Sequence, residues 1–178
     1  MNHLATSKED ILAASRDLIK ENGWAAVSIR AVASRCSVSA GTIYNYYESK
    51  ADLLSDTIES IWHEIFFHPE DEQVFHDVES CISWIYERLE YGNSQFPGFF
   101  SLHSFGFMRD EKTSGKKRMM KTWGHILNGL CEVLGTDPKV RSDVFDQEFT
   151  EKKFADILFS LILVSMIRQD YDPSSVLM

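Results

Sequence analysis

A chain of 178 residues, 44% hydrophobic and 12% aromatic, is long enough to bury a core as one domain or as two unequal ones, and too apolar to remain disordered. Its formal net charge of −9 argues against a protein that coats nucleic acid regardless of sequence. Three widely spaced cysteines (Cys36, Cys81, Cys131) are odd in number and describe no disulfide framework, which fits free thiols in a reducing cytoplasm. No basic-plus-apolar segment opens the chain. Its most apolar stretch, 154–167, is interrupted by Asp156 and falls short of the ~20 residues that span a membrane, so a cytoplasmic protein with no membrane partner is expected.

In chain order the elements read as helices almost throughout. Ser7, with Asp10 three residues on, predicts the N-cap of a first helix running to about Glu21, and Asn22-Gly23 ends it. Ser28, Ser39 and Ser49 predict the caps of three further helices, the last with Asp52 in its first turn. That fourth helix carries Leu53, Leu54, Ile58, Ile61, Trp62 and Ile65 until Pro69 stops it, a rod of roughly 30 Å at 1.5 Å per residue. Residues 74–91 hold Val78, Ile82, Ile85, Tyr86 and Leu89 at helical spacing, and Gly92, Pro97 and Gly98 punctuate the next connection. Residues 99–108 predict a short aromatic helix in the interior, and Thr113-Ser114-Gly115 a turn. Lys116-Lys117-Arg118 then start a long helix reaching Leu134-Gly135, and Asp137-Pro138 a short polar helix or loop. Thr150 or Glu151 opens the last helix, which runs to about Arg168. No strand alternation of convincing length follows Pro69, so the fold class is all-α.

Residues 28–50 hold the most informative pattern. Val32 and Ala33 share one face of a short helix, and Ile43 faces back from the next helix across Val38 in the turn. Two helices so packed leave Ala40, Gly41, Thr42 and Tyr44 pointing outward, the arrangement of a helix-turn-helix whose second helix enters the DNA major groove. Small residues at 40 and 41 allow close approach, Thr42 can bond and touch a thymine methyl, and Tyr44, Tyr46 and Lys50 suit flanking phosphates. A helical hairpin used only for packing in some all-α protein has the same spacing. Charge within 28–50 is locally basic, with Arg30, Arg35 and Lys50 against Glu48, while the acid excess lies downstream in Glu70-Asp71-Glu72 and 143–151. A small footprint that reads one site fits that distribution.

The same segment resembles the DNA-binding domain of the TetR family of transcriptional repressors. The family signature T-[LI]-Y-x-[YH]-[FV]-x-x-K-x-x-L stands here as Thr42-Ile43-Tyr44-Asn45-Tyr46-Tyr47-Glu48-Ser49-Lys50-Ala51-Asp52-Leu53. Ile11, Ala14, Leu18, Ile19, Asn22-Gly23 and Val27-Ser28-Ile29 extend the likeness, which covers roughly residues 7–60. Cys36 and Ser37 replace the usual Ala-Gly before the turn valine, and Tyr47 the usual Phe. The resemblance implies a helix-turn-helix domain at 1–50 and a helical ligand-sensing and dimerisation domain at 51–178. It implies DNA contacts from Ser28, Arg30, Ser39, Ala40, Gly41, Thr42, Tyr44, Asn45, Tyr46 and Lys50. The implied partners are an inverted-repeat operator in double-stranded DNA, a second copy of the chain, and a small apolar or amphipathic effector.

The last two long helices bear on the second copy. The final one is apolar on nearly all sides, and such a helix must be covered all round, either by a partner subunit or as the central helix of a monomer. Met120, Trp123, Leu127, Leu158, Leu161 and Ile162 are the expected interface, the four-helix arrangement that the resemblance implies. The middle of the chain is rich in aromatic residues, which serve an ordinary core or line an apolar site. The resemblance implies a cavity there, with Trp62, Phe66, Trp84, Phe99, Phe100 and His103 as its lining. Six histidines show no metal-ligand spacing, and no phosphate-binding, dinucleotide or nucleophile-elbow motif occurs, so no metal, cofactor or enzymatic activity is expected. The alternative is a helical interaction module that does not bind DNA. Arg30, Thr42, Tyr44, Tyr46 and Lys50 weigh against it, because a hairpin used for packing has no need to expose them.

Overall fold

The computed structural model describes residues 6–67, 75–100 and 114–177, with 114–122 and Ser175 by backbone alone. His68, Pro69, the Glu70-Asp71-Glu72 run and His103 lie outside the described residues, as does the rest of the expected helix beyond Phe100. Among the described residues there are seven α-helices and no strand. They are α1 (Lys8–Asn22), α2 (Ile29–Arg35), α3 (Ala40–Tyr44), α4 (Lys50–Phe66), α5 (Val78–Gln95), α6 (Ser114–Thr136) and α7 (Glu151–Arg168), with short 3-10 turns at Trp24–Ala26 and Pro173–Ser175. No helix among them is long and apolar enough to cross a membrane.

Local chemistry sets the first four helix starts. Ser7 Oγ accepts from the Asp10 N–H at 3.1 Å while Asp10 Oδ2 accepts from the Ser7 N–H at 2.9 Å, a reciprocal capping box. Ser28, Ser39 and Ser49 accept from the N–H groups of Ala31, Thr42 and Asp52 at 3.1, 3.1 and 3.2 Å. Gly23 ends α1 with φ 76°, which glycine adopts without strain.

Local caps and long-range packing together decide the boundaries that differ from the sequence expectation. α5 begins at Val78, because Asp77 caps it through Ser80 N–H at 2.8 Å. It also passes through Gly92 to Gln95, so that glycine is no punctuation. A Cβ there would lie 2.6 Å from Ile65 Cδ1 and 3.0 Å from Phe100 Cζ, so the glycine lets α4 and α5 close on each other. Ser114 and Gly115 belong to α6 and do not form a turn. α4 is shorter than the ~30 Å rod, ending at Phe66. Phe99 and Phe100 lie in a turn and are buried.

α4 is the shared element. Its Leu53, Ile61 and Ile65 are fully buried, and it packs on α1 at one end and on α5 and α6 further along. Ion pairs tie it to α1: Lys8 to the buried Asp56 at 2.5 Å, and Arg16 and Lys20 to Glu64 at 2.9 and 2.6 Å. From α5, the Arg88 guanidinium donates to the carbonyls of Glu64 and Ile65, satisfying two acceptors that the helix end leaves open. α6 and α7 pack together along the body. Asp137 pins the connection between them by accepting from Val78 N–H at 2.9 Å.

α7 is not covered on all sides. Ala155, Leu158, Phe159, Ile162, Ser165 and Met166 face the core, whereas Ile157, Leu161, Val164 and Ile167 are 41–49% exposed. Leu158 and Ile162, two of the expected interface residues, are buried within the single chain. Of the other expected interface residues, Leu161 is exposed, Trp123 and Leu127 are half-buried, and the side chain of Met120 lies outside the described residues.

Ser37 holds φ 56°, the left-handed conformation that a non-glycine residue adopts at a cost of about 1–2 kcal/mol. Glycine would remove that cost and add about 0.5–1 kcal/mol of backbone entropy loss. Ser37→Gly should therefore stabilise the protein by roughly 0.5–1 kcal/mol, read as a raised urea midpoint with unchanged slope.

Candidate nucleic-acid interface and an adjoining cavity

The turn between α2 and α3 is closed by backbone bonds, Val38 N–H donating to Ala33 O at 2.9 Å and Ser37 N–H to Ser34 O at 3.1 Å. Val32, Ala33 and Ile43 are buried beneath it, with Tyr47 buried behind α3. Packing of these backs turns the other faces outward. Arg30, Ser39, Gly41, Tyr44, Asn45 and Lys50 are exposed, and Ser28, Ala40 and Thr42 half-exposed. Tyr44 stands 54% exposed, an aromatic ring that the protomer leaves in water.

Several expected contacts have prior partners. The Tyr46 hydroxyl donates to Thr6 O at 2.6 Å, so its proton anchors the segment that leads into α1. Ser28 and Ser39 use their hydroxyl oxygens as caps, and Ser39 Oγ also shares a hydrogen bond with Thr42 Oγ1 at 3.0 Å. Arg35 pairs through both terminal nitrogens with Glu21 and lies 3.9 Å from Asp17. The Arg35 hydrogen bond lowers the Glu21 pKa, and Glu21 raises that of Arg35. Of the three cations in 28–50, Arg30 and Lys50 alone have no ion-pair partner among the described residues.

A cavity of about 120 Å³ lies where α4, α5 and α6 meet. Phe66, Phe67 and Phe75 form one side, Cys81, Trp84 and Ile85 of α5 another, and His125, Ile126 and Gly129 of α6 the third. Two residues expected there, Phe66 and Trp84, line it. Trp62, Phe99 and Phe100 do not: all three are buried in the core behind Phe66, where large rings fill space that a ligand would need. Their contacts form a series. Trp84 meets Phe66 at 5.8 Å between centroids, Phe66 stacks on Trp62 at 5.7 Å, Trp62 meets Phe99 at 5.6 Å, and Phe99 meets Trp24 at 6.2 Å, next to α2. His125 and Gly129 gave no signal in the sequence, since nothing local marks which residues of α6 face a gap. Burial pushes the Cys81 thiol up to about 11. Among the described residues no group of three or more His, Cys, Asp or Glu gathers as a metal site.

The family model of bacterial regulatory proteins, tetR family, matches residues 11–57. The HTH-type transcriptional regulator UidR of Escherichia coli (strain K12) is 38% identical over 48 residues, 27% of this chain and 24% of that protein, so the match spans about a quarter of the relative's length. Over the whole chain the likeness is one of fold. A transcriptional regulator from Rhodococcus sp. Rha1 superposes with a TM-score of 0.67 at 18% identity, covering 95% of this chain and 86% of the other. The transcriptional regulator FadR from Bacillus subtilis, in complex with stearoyl-CoA, gives 0.66 at 17% identity, covering 96% and 93%.

The Tyr46 bond to Thr6 has a measurable consequence. Tyr46→Phe should lower stability by about 0.5–1.5 kcal/mol in urea unfolding, the worth of one hydrogen bond. Lost DNA affinity with unchanged stability would instead assign that hydroxyl to a phosphate.

Proposed function

We propose that this protein, whose residues 11–57 match the model of bacterial regulatory proteins, tetR family, is a sequence-specific DNA-binding transcriptional regulator. It acts as a homodimeric repressor that a small apolar or amphipathic ligand releases from an inverted-repeat operator. The observation that carries this reading is the exposed set Arg30, Gly41, Tyr44, Asn45 and Lys50, grouped on one capped helix pair whose backs are buried. Residues 1–50 are the reading head and 51–178 the sensing and dimerising body. Arg30 and Tyr44 reach base edges, Lys50 a phosphate, and Gly41 allows close approach of the backbone.

Two heads bind one operator through pairing of their bodies. The exposed apolar face of α7, Ile157, Leu161, Val164 and Ile167, is the surface that a second copy covers. An isologous dimer then sets the two α3 helices about 34–36 Å apart, one turn of DNA. Ligand and DNA communicate through α4, which carries Phe66 at the cavity and is held to α1 by its ion pairs. The ring series from Trp84 to Trp24 runs beside it. A ligand changes DNA affinity only if it favours one spacing of the heads over the other.

Selection of bound sequences from random duplexes tests the class, and an enriched inverted repeat is the expected outcome. On that site Arg30→Ala should cost about 1–3 kcal/mol per half-site and relax preference at one position, whereas Lys50→Ala should weaken all sequences alike. Equal losses on specific and random DNA for Arg30→Ala would refute base reading by that residue. With two unpaired cations per head, the salt slope of log K for a dimer should be shallow, about −3 to −4. Leu161→Glu adds a charge that water covers in the protomer and that nothing pairs within a dimer. Sedimentation should show a folded monomer for the variant and a dimer for its parent.

A further inference from the structure

Resting on the reading of the body as a ligand sensor, we propose that the cavity between α4, α5 and α6 takes an uncharged molecule built on a single aromatic ring, with a hydroxyl at the mouth. Size sets the first limit. The cavity holds about 120 Å³, and an apolar cavity of ~150 Å³ accepts benzene. One ring fits that volume, whereas a fused bicycle or a long acyl chain exceeds what the described residues enclose.

Charge sets the second limit. Among the described residues no Asp, Glu, Lys or Arg lines the cavity, so a carboxylate or ammonium would give up its hydration with no counter-ion there to replace it. The Cys81 thiol stays protonated and offers neither a charge nor a nucleophile. The walls supply rings in orientations that suit another ring. Phe66 and Phe75 stand at 68° and 56° to Trp84, with centroids 5.8 and 5.2 Å away, the edge-to-face and tilted geometry that aromatic groups prefer. His125 is exposed at the surface end of the lining, edge-on to Phe67 at 5.9 Å, and its imidazole can bond a hydroxyl there.

Gly129 supplies the independent observation. It lies inside the 23-residue α6, where glycine is a poor helix former by about 1 kcal/mol relative to alanine. No backbone need is visible, because its φ is not positive, and a Cβ added there would meet no atom within 4 Å. Gly124 and Gly135 of the same helix are equally open, but of the three only Gly129 lines the cavity, where a larger side chain would enter it.

The experiment is calorimetric titration of the full chain at neutral pH with p-cresol, toluene, benzoate, 1-naphthol and decanoate. p-Cresol should bind saturably, one per protomer, and the anions and the bicycle at least tenfold more weakly. His125→Phe should weaken p-cresol about tenfold, as expected for one lost hydrogen bond, and leave toluene unchanged. Gly129→Leu should abolish p-cresol binding with a melting temperature at or above that of the parent. If the leucine lowers that temperature, Gly129→Ala must still weaken binding. No saturable p-cresol binding, equal binding of benzoate, 1-naphthol or decanoate, or p-cresol binding unaffected by both glycine variants overturns the proposal. Operator affinity of the unliganded protein reports on the regulatory reading alone, so either can fail without the other.

Discussion

Ile65 of α4 comes so close to Gly92 of α5 that no side chain fits between them, and this approach governs much of the body. It presses Phe100 against the same spot, so the turn after α5 must fold back over α4. One residue on, Phe66 is held between the buried Trp62 on one side and Trp84 on the other. The cavity wall is thus positioned by the packing of the Ile65 side chain on Gly92, one residue from Phe66, as well as by the residues that would meet a ligand. Arg88 reinforces the contact by bonding the last carbonyls of α4, so the helix end is fixed from α5 by sterics and by hydrogen bonds together.

α4 is held from α1 by different chemistry. Its bonds to α1 are ionic, and Glu64 receives two cations while the buried Asp56 receives one. A charge as buried as Asp56 is tolerated only with such a partner, so the pairing specifies how the head sits even where its net contribution to stability is small. The same chemistry leaves the head with little free positive charge, since Lys8, Arg16, Lys20 and Arg35 all answer acids of the protein itself. Under the proposed function, affinity for DNA then comes mainly from shape and base contacts. That agrees with a chain whose overall charge is −9.

Most of what depends on neighbours within four residues was legible in the sequence, the Asp77 cap of α5 being the exception. The caps at Ser7, Ser28, Ser39 and Ser49 and the exposed face of α3 all follow from side chains close to the backbone they serve. Features that depend on distant partners were not legible. Gly92 looks like a breaker until Ile65 is brought beside it, and Tyr46 looks free until Thr6 is. Leu158 and Leu161 are both apolar and three residues apart, yet only the packing of α6 decides that the first is core and the second is surface. The aromatic residues were recognised as a group, but their division into wall and filling required knowing which rings stack behind Phe66.

The uncovered face of α7 has a consequence for gene dosage. Under the proposed pairing through its four exposed large apolar side chains, the DNA-binding form accumulates with the square of chain concentration while dimers are scarce. Halving expression would then empty a partly filled operator by more than half, and a small rise in synthesis would fill it steeply. The response to the amount of protein would be nonlinear without any cooperativity between DNA sites.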